Sequence, residues 1–136
     1  MLVVVGTNIL HSALHSDSGP PAKVLEGWYA GRYRLVTSRE QIAEFKRAAQ
    51  YVKLRKLLPR HAIGRVVNRL RQAELLLSRL RRVGDSPDPG DDFLLAIAAA
   101  AGADYLVTGD KALLGLRQVA TTRIVTAHRF AVILAR

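Results

Sequence analysis

The feature that most constrains the fold is a repeated alternation of short apolar runs with helical patterns. The runs are LVVV (2–5), RLVT (34–37), YLVT (105–108) and RIVT (123–126). The first run is continuous rather than alternating with polar residues, which is typical of a strand buried on both faces of a parallel sheet. Because helical segments separate the runs, the sequence predicts an α/β fold with a central parallel sheet.

Capping residues and glycines place the first helices. Thr7 or Asn8 can cap a short helix that continues through His15, and the prolines after the loop SDSG begin a helix over 20–31 that Gly31 closes. These signals predict two helices between the first two strands.

A capping box predicts the next helix. Ser38 with Gln41 three residues later marks its start. Its apolar stripe consists of Ile42, Phe45, Ala49 and Val52. We expect a further helix over 61–82, a loop over 83–92 and a helix over 93–102 that stops at Gly102.

Length and composition indicate one compact domain over residues 1–136, since 49% of the residues are hydrophobic. The chain has no cysteine, which excludes disulfides and thiolate metal sites and favours a reducing cytoplasm. The N-terminal apolar run is too short for a signal segment or a membrane span. We therefore expect a cytoplasmic protein with no membrane partner.

The chain is strongly basic, with 21 Lys and Arg against 11 Asp and Glu and a net charge of +10. Such an imbalance favours a polyanionic partner such as RNA or DNA. A protein whose arginines are merely solvated has the same composition, so charge alone leaves both interpretations open.

The acidic residues are few and clustered. The loop DSPDPGDD holds Asp85, Asp88, Asp91 and Asp92, and Asp110 follows a predicted strand. Carboxylates at close range are stable when a cation neutralises them, and oxygen ligands favour Mg²⁺ or Mn²⁺. The alternative is structural: aspartates cap helices, and Asp110 is placed to cap KALLGL (111–116).

Other catalytic schemes find little support in the sequence. There is no cysteine nucleophile, no GxSxG or HExxH motif and no glycine-rich phosphate loop. His11 and His15 share a helix face, and we expect both to be surface residues rather than metal ligands.

Four segments in order carry a resemblance to the PIN-domain ribonucleases, in particular to the single-domain toxins of toxin–antitoxin modules (VapC-like). The segments are VVVGTNIL (3–10), SREQIAEF (38–45), DDFLLA (91–96) and GADYLVTGD (102–110). The first matches the family's strand ending in Asp-Thr-Asn in all but the aspartate, which is Gly6 here. The resemblance implies a three-layer α/β/α sandwich.

The resemblance also implies an acidic site. Its carboxylates fall on Glu44, Asp92 and Asp110, with Gly6 at the position of a missing aspartate. The supporting polar residues are Thr7, Asn8 and Thr108, and Asp91 is a further possible ligand. Glu40, one turn before Glu44, is a rival for its ligand role.

The function that the resemblance implies is hydrolysis of RNA by an endoribonuclease that uses Mg²⁺ or Mn²⁺. Because glycine has no carboxylate, we expect this chain to bind metal weakly and to cleave little or not at all. The arginines that can follow the RNA backbone are Arg65, Arg69, Arg71, Arg79, Arg81 and Arg82. A cognate antitoxin and a homodimer are the implied protein partners.

Two alternatives remain open. The first is a catalytically dead PIN domain that binds RNA or an antitoxin without cutting. The second is another aspartate-using α/β protein, a haloacid dehalogenase-type phosphatase or a receiver domain. The phosphatase requires an Asp-x-Asp pair at the end of the first strand and the receiver a central phospho-accepting aspartate, and neither pattern is visible.

Overall fold

The strands form a sheet that is parallel except at one edge. A computed structural model describes residues 1–56, 58–73, 75–77 and 92–136. The strands within these residues are β1 (Leu2–Val5), β2 (Arg34–Ser38), β3 (Leu75–Leu77), β4 (Tyr105–Val107), β5 (Gln118–Val119) and β6 (Thr122–Val125). Their order is β3-β2-β1-β4-β6-β5, and only β5 pairs antiparallel, with β6. This confirms the predicted α/β class with a central parallel sheet.

Helices cover both faces of the sheet. They are α1 (Thr7–His15), α2 (Pro20–Tyr29), α3 (Arg39–Lys56), α4 (Arg60–Arg71), α5 (Asp92–Ala101), α6 (Lys111–Leu116) and α7 (Ala127–Leu134). Val3 and Val5 of β1 face one core, which holds Phe45 of α3 and Phe130 of α7. Val4 faces the other core with residues of α5 and α6. The valine run is continuous because both of its faces are buried, and the fold is the expected three-layer sandwich.

None of the helices in the described segments is long and apolar enough to cross a membrane.

The expectation of one helix over 61–82 is wrong at residues 72, 73 and 75–77, and residues 74 and 78–82 lie outside the described residues. The helix α4 ends at Arg71, and Leu75–Leu77 forms β3, which pairs with Val36–Ser38 of β2. Leucine favours helices in isolation, and a short apolar run fits either a helix or a buried strand. Pairing with β2 at the sheet edge decides the conformation, which the local pattern does not encode.

The start of α1 also differs from the expectation. Its N-cap residue is Gly6, not Thr7 or Asn8, and no side chain caps it. The other boundaries agree better with the sequence: α2 begins with its two prolines, and Gly31 follows its end with a φ of +73°. Gly102 likewise follows α5 with a φ of +61°.

Candidate active site

A small cavity lies where β1 and β4 end at their carboxyl edges, next to the first turn of α1. Its volume is about 170 Å³. The polar residues that line it are Gly6, Thr7, Asn8, Glu44, Thr108 and Asp110. Its apolar wall is formed by Ile9, Ala48, Phe93 and Leu94. Ligands of open α/β sheets bind at this edge, so the predicted location of the site and the cavity coincide.

Gly6 occupies the bottom of the cavity directly after β1. Its N–H donates to the Val107 carbonyl oxygen at 2.8 Å, which joins the ends of β1 and β4. Its φ of −59° and ψ of 146° are open to any L-residue. A Cβ at this position would lie 3.2 Å from the Val107 carbonyl oxygen and 3.7 Å from Thr108 Oγ1. A Cβ therefore requires the Val107 carbonyl to shift by a few tenths of an ångström, and the φ and ψ of this position do not require glycine.

Thr7 and Asn8 present different polar groups to the cavity. Thr7 is 5% exposed, and its hydroxyl oxygen has no hydrogen-bond partner among the described residues. Asn8 is exposed at the cavity mouth. A buried hydroxyl without a partner costs free energy, so a ligand or a water molecule that accepts or donates a hydrogen bond there would relieve it.

Glu44 enters the cavity from the second turn of α3 and is half-buried. Glu40 is exposed and does not belong to the cavity lining. Of the two carboxylates that the sequence offered for this role, Glu44 is therefore the one that lines the cavity with Gly6.

Gln41 connects the start of α3 to the ends of β1 and β2, a role that sequence reasoning missed. Its backbone N–H donates to Ser38 Oγ at 3.1 Å, as a capping box requires. Its side chain does not complete the box. The Nε2 atom donates to the Val5 carbonyl oxygen and the Oε1 atom accepts from Thr37 Oγ1, both at 2.6 Å. Since Glu44 lies one turn later on the same helix, this buried amide positions it against the cavity.

Asp110 caps a helix and lines the cavity at the same time. Its Oδ1 atom accepts from the N–H groups of Ala112 and Leu113 at 2.8 and 3.1 Å, at the start of α6. Its own N–H donates to Thr108 Oγ1 at 3.1 Å. Asp110 therefore caps α6 and also lines the cavity, so its position is compatible with both interpretations that the sequence offered.

The third predicted carboxylate is only partly placed. Asp92 is the first residue of α5, whose next residues Phe93 and Leu94 line the cavity, but its side chain lies outside the described part. Asp91 lies outside the described residues altogether. Among the described side chains, no three acidic or histidine groups form a metal cluster. The oxygen donors suit Mg²⁺ or Mn²⁺ in kind, and Glu44 with Asp110 supplies two of the carboxylates that such a site needs.

Of the arginines predicted to contact RNA, the three that the structure describes, Arg65, Arg69 and Arg71, do not line the cavity. The guanidinium carbons of Arg65 and Arg69 lie 4.2 and 4.8 Å from the ring centre of Tyr29. Burial raises the pKa of Tyr29, and the two arginines partly offset that rise. Arg79, Arg81 and Arg82 lie outside the described residues.

His11 is not a surface residue, and this expectation is wrong. It is 7% exposed, and its ring stacks on Phe45 at a centroid distance of 4.5 Å. His15, one turn later, is exposed as expected. The difference follows from the way α1 packs against α3, with one face buried and one edge in water.

The structure therefore combines a three-layer α/β/α sandwich with a cavity at the carboxyl ends of parallel strands, lined by two carboxylates and two threonines. A family model of the PIN domain matches residues 2–112, and the chain belongs to this family. PIN domains are generally nucleases. A comparison with curated proteins and one with solved structures each gave no match.

Proposed function

We propose that the cavity is the active site of a PIN endoribonuclease that depends on Mg²⁺ or Mn²⁺, and that Gly6 leaves it weakened or inactive. The observation that carries the proposal is the convergence of Gly6, Glu44 and Asp110 on one cavity, although they lie far apart in the sequence. Glu44, Asp110 and Asp92 are the proposed ligands, with Asp91 as a further possible one. The oxygens of Thr7, Asn8 and Thr108 support them.

A divalent ion bound there would supply an activated water molecule and neutralise charge on a phosphodiester. The chain itself contributes orientation. Gln41 holds the α3 terminus, and the bond from Asp110 N–H to Thr108 Oγ1 fixes the loop between β4 and α6. Phe93 and Leu94 limit the access of bulk water from one side. The cavity therefore orients its oxygen donors before any ligand enters.

RNA is the proposed substrate, and the resemblance to VapC-like toxins extends the proposal to a toxin role. The net charge of +10 supports a polyanionic partner. A cognate antitoxin with an acidic or amphipathic segment, a homodimer and a cytoplasmic location belong to the same proposal.

The second candidate is a PIN domain that binds RNA or an antitoxin without cleavage. Gly6 favours this candidate, because neither Thr7 nor Asn8 can replace the missing carboxylate. The two candidates predict the same binding of RNA or an antitoxin, and they differ in whether the protein cleaves RNA.

Restoring the carboxylate separates the two candidates. We expect Gly6→Asp to cleave a mixed RNA substrate at least tenfold faster than the unaltered protein with Mn²⁺ or Mg²⁺, and neither protein to cleave with chelator. Glu44→Gln in the Gly6→Asp protein is the matched control and should remove the gained activity. Equal cleavage by both proteins would show that position 6 is not a ligand position. RNA binding without cleavage by either would favour the binding module.

Asp110→Asn tests whether this residue acts beyond its cap. Asparagine is also a good N-cap residue, so we expect a stability within about 0.5 kcal/mol of the parent, while Asp110→Ala should lose about 1 kcal/mol. Both substitutions, made in the Gly6→Asp protein, should abolish cleavage. Unfolding in urea and an RNA cleavage assay measure the two effects. Full activity of the asparagine variant would reduce Asp110 to a capping residue.

A further inference from the structure

A second concave site lies between α3 and α4, on the side of α3 that faces away from the candidate active site. Its volume is about 380 Å³, more than twice that of the active-site cavity. Lys46 lines this cleft and Glu44 lines the cavity. Because these residues are two positions apart on the helix, their side chains point about 200° apart around its axis. The cleft is therefore separate from the carboxylate site.

The rim of the cleft is basic. Lys46 projects from α3, and Arg60 and Arg71 lie near the two ends of α4. No acidic side chain is among the described residues that line it. Arg60 lies in the first turn of α4, where the helix dipole disfavours a cation, so a bound anion would relieve an existing repulsion. The three positive charges attract a ligand with more than one negative charge.

The floor combines apolar and amide side chains. Ile63 and Val67 of α4 provide the apolar surface, and the amides of Gln50 and Asn68 lie beside it. Asparagine and glutamine side chains can hydrogen-bond base edges, which carry both donors and acceptors. A nucleotide offers both a base for this floor and phosphates for the basic rim. This composition therefore fits a nucleotide.

We propose that the cleft between α3 and α4 binds one nucleotide of a single-stranded RNA outside the segment that is cut. The base lies on Ile63 and Val67, and the flanking phosphates contact Lys46, Arg60 and Arg71. The inference rests on the proposed function in taking RNA as the ligand. It also separates the arginines by role, since Arg65 and Arg69 are stacked on Tyr29 outside this cleft.

Gly64 provides a substitution that fills the cleft. It lines the cleft, and a Cβ at this position would meet no atom within 4 Å. Gly64→Leu introduces a good helix former, and its side chain occupies the space above the floor. Gly64→Ala is the matched control, because it makes the same helical improvement with little added volume.

The test measures the binding of a fluorescently labelled single-stranded RNA of mixed sequence by anisotropy, in chelator, over a series of KCl concentrations. We expect Gly64→Leu to weaken binding roughly fivefold or more and Gly64→Ala to change it less than twofold. The double variant Arg60→Gln, Arg71→Gln should weaken binding and reduce the salt slope by about 1.4, at about 0.7 per phosphate contact for single strands. The same slope change on replacing the exposed Arg129 and Arg123 would overturn the proposal.

The outcome is independent of catalysis, because chelator prevents metal-dependent cleavage and Glu44 is unaltered. RNA binding that is sensitive to Gly64→Leu, together with failure of Gly6→Asp to cleave, would support the cleft and reject the nuclease proposal. Cleavage by Gly6→Asp, together with RNA binding that is insensitive to Gly64→Leu, would support the nuclease proposal and overturn the proposal for the cleft. Binding of polyglutamate that Gly64→Leu abolishes, with unchanged RNA binding, would assign the cleft to an acidic peptide and overturn the proposal.

Discussion

The backbone conformation does not explain why position 6 is glycine, whereas backbone N–H groups hold the side chain of Asp110 in place. Gly6 has a φ and ψ that any residue adopts, so its lack of a side chain is not a conformational requirement. Asp110 is fixed in place by two hydrogen bonds to the start of α6. A carboxylate that is already held by a cap loses little conformational entropy when it binds a ligand. At the residue scale, the carboxylate of Asp110 is pre-oriented, and Gly6 offers the cavity no side-chain functional group.

His11 is a buried histidine whose pKa lies below its ordinary value. Burial lowers its pKa, the charge of His15 lowers it further, and the backbone of Phe45 acts in the opposite direction. Its two ring nitrogens have no side-chain or backbone bond of good geometry within the described residues. Its protonation would place a charge between α1 and α3, so the charged form is favoured in the unfolded chain.

We therefore expect the protein to lose stability as pH falls below the pKa of an unfolded histidine, about 6.5. In that range the unfolded chain binds a proton at His11 and the folded chain does not, so acid favours unfolding. His11→Phe keeps a ring against Phe45 and should flatten the dependence of Tm on pH between 7 and 5. The control is His61→Gln, at an exposed position. A pH profile unchanged by His11→Phe would contradict this assignment.

At the scale of elements, the sequence predicts the inner strands of the sheet and fails at the sheet edges. The β-branched runs of β1, β2, β4 and β6 identify these strands. The edge strand β3 is made of leucines, and its conformation depends on pairing with β2. The strand at the other edge, β5, is two residues long. The turn that joins it to β6 contains Ala120, whose φ is +52°. Neither edge carries a local signal such as Asn-Gly, so only the tertiary structure defines them.

The helix glycines Gly64 and Gly27 should respond differently to alanine. Alanine improves helix propensity by about 1 kcal/mol at either position. At Gly64 the new Cβ meets no atom within 4 Å, whereas at Gly27 it lies 2.8 Å from Leu134 Cδ1, where α2 packs on α7. We expect Gly64→Ala to stabilise the protein by about 0.5–1 kcal/mol. We expect Gly27→Ala to stabilise it less, because the end of the Leu134 side chain must move to make room for the new Cβ. Urea unfolding of both variants measures the difference, and equal stabilisation would refute the packing argument.

At the scale of the whole molecule, the parallel sheet explains why the sequence could bring some of the candidate residues together and not others. Gly6 and Thr108 follow adjacent strands, so the topology alone places them side by side. The family resemblance adds Glu44 and Asp110. The anchoring role of Gln41 and the cleft between α3 and α4 depend on the distances between packed elements. Neither follows from a motif or a period, which is why sequence reasoning did not find them.

Metal binding should act on the stability of the whole molecule, because its proposed ligands come from the ends of β1 and β4 and from α3. Without metal, we expect Gly6→Asp to be no more stable than the unaltered protein, since the new carboxylate lies in the cavity of Glu44 and Asp110. Mn²⁺ at a hundredfold excess over its Kd adds about 2.7 kcal/mol of stability. For a chain of this length that corresponds to an increase in Tm of roughly 8 °C.

The increase should be large in Gly6→Asp, small in the unaltered protein, and small in Gly6→Asn, which has nearly the same shape without the charge. Adding Glu44→Gln to Gly6→Asp should reduce it again. Scanning calorimetry with Mn²⁺ and with chelator measures all four proteins without requiring a substrate. An equal increase in the unaltered protein would mean that the metal binds elsewhere or that position 6 is not a ligand. The carboxylate at position 6 would then be unnecessary for metal binding, and the explanation of weak activity by Gly6 would fall.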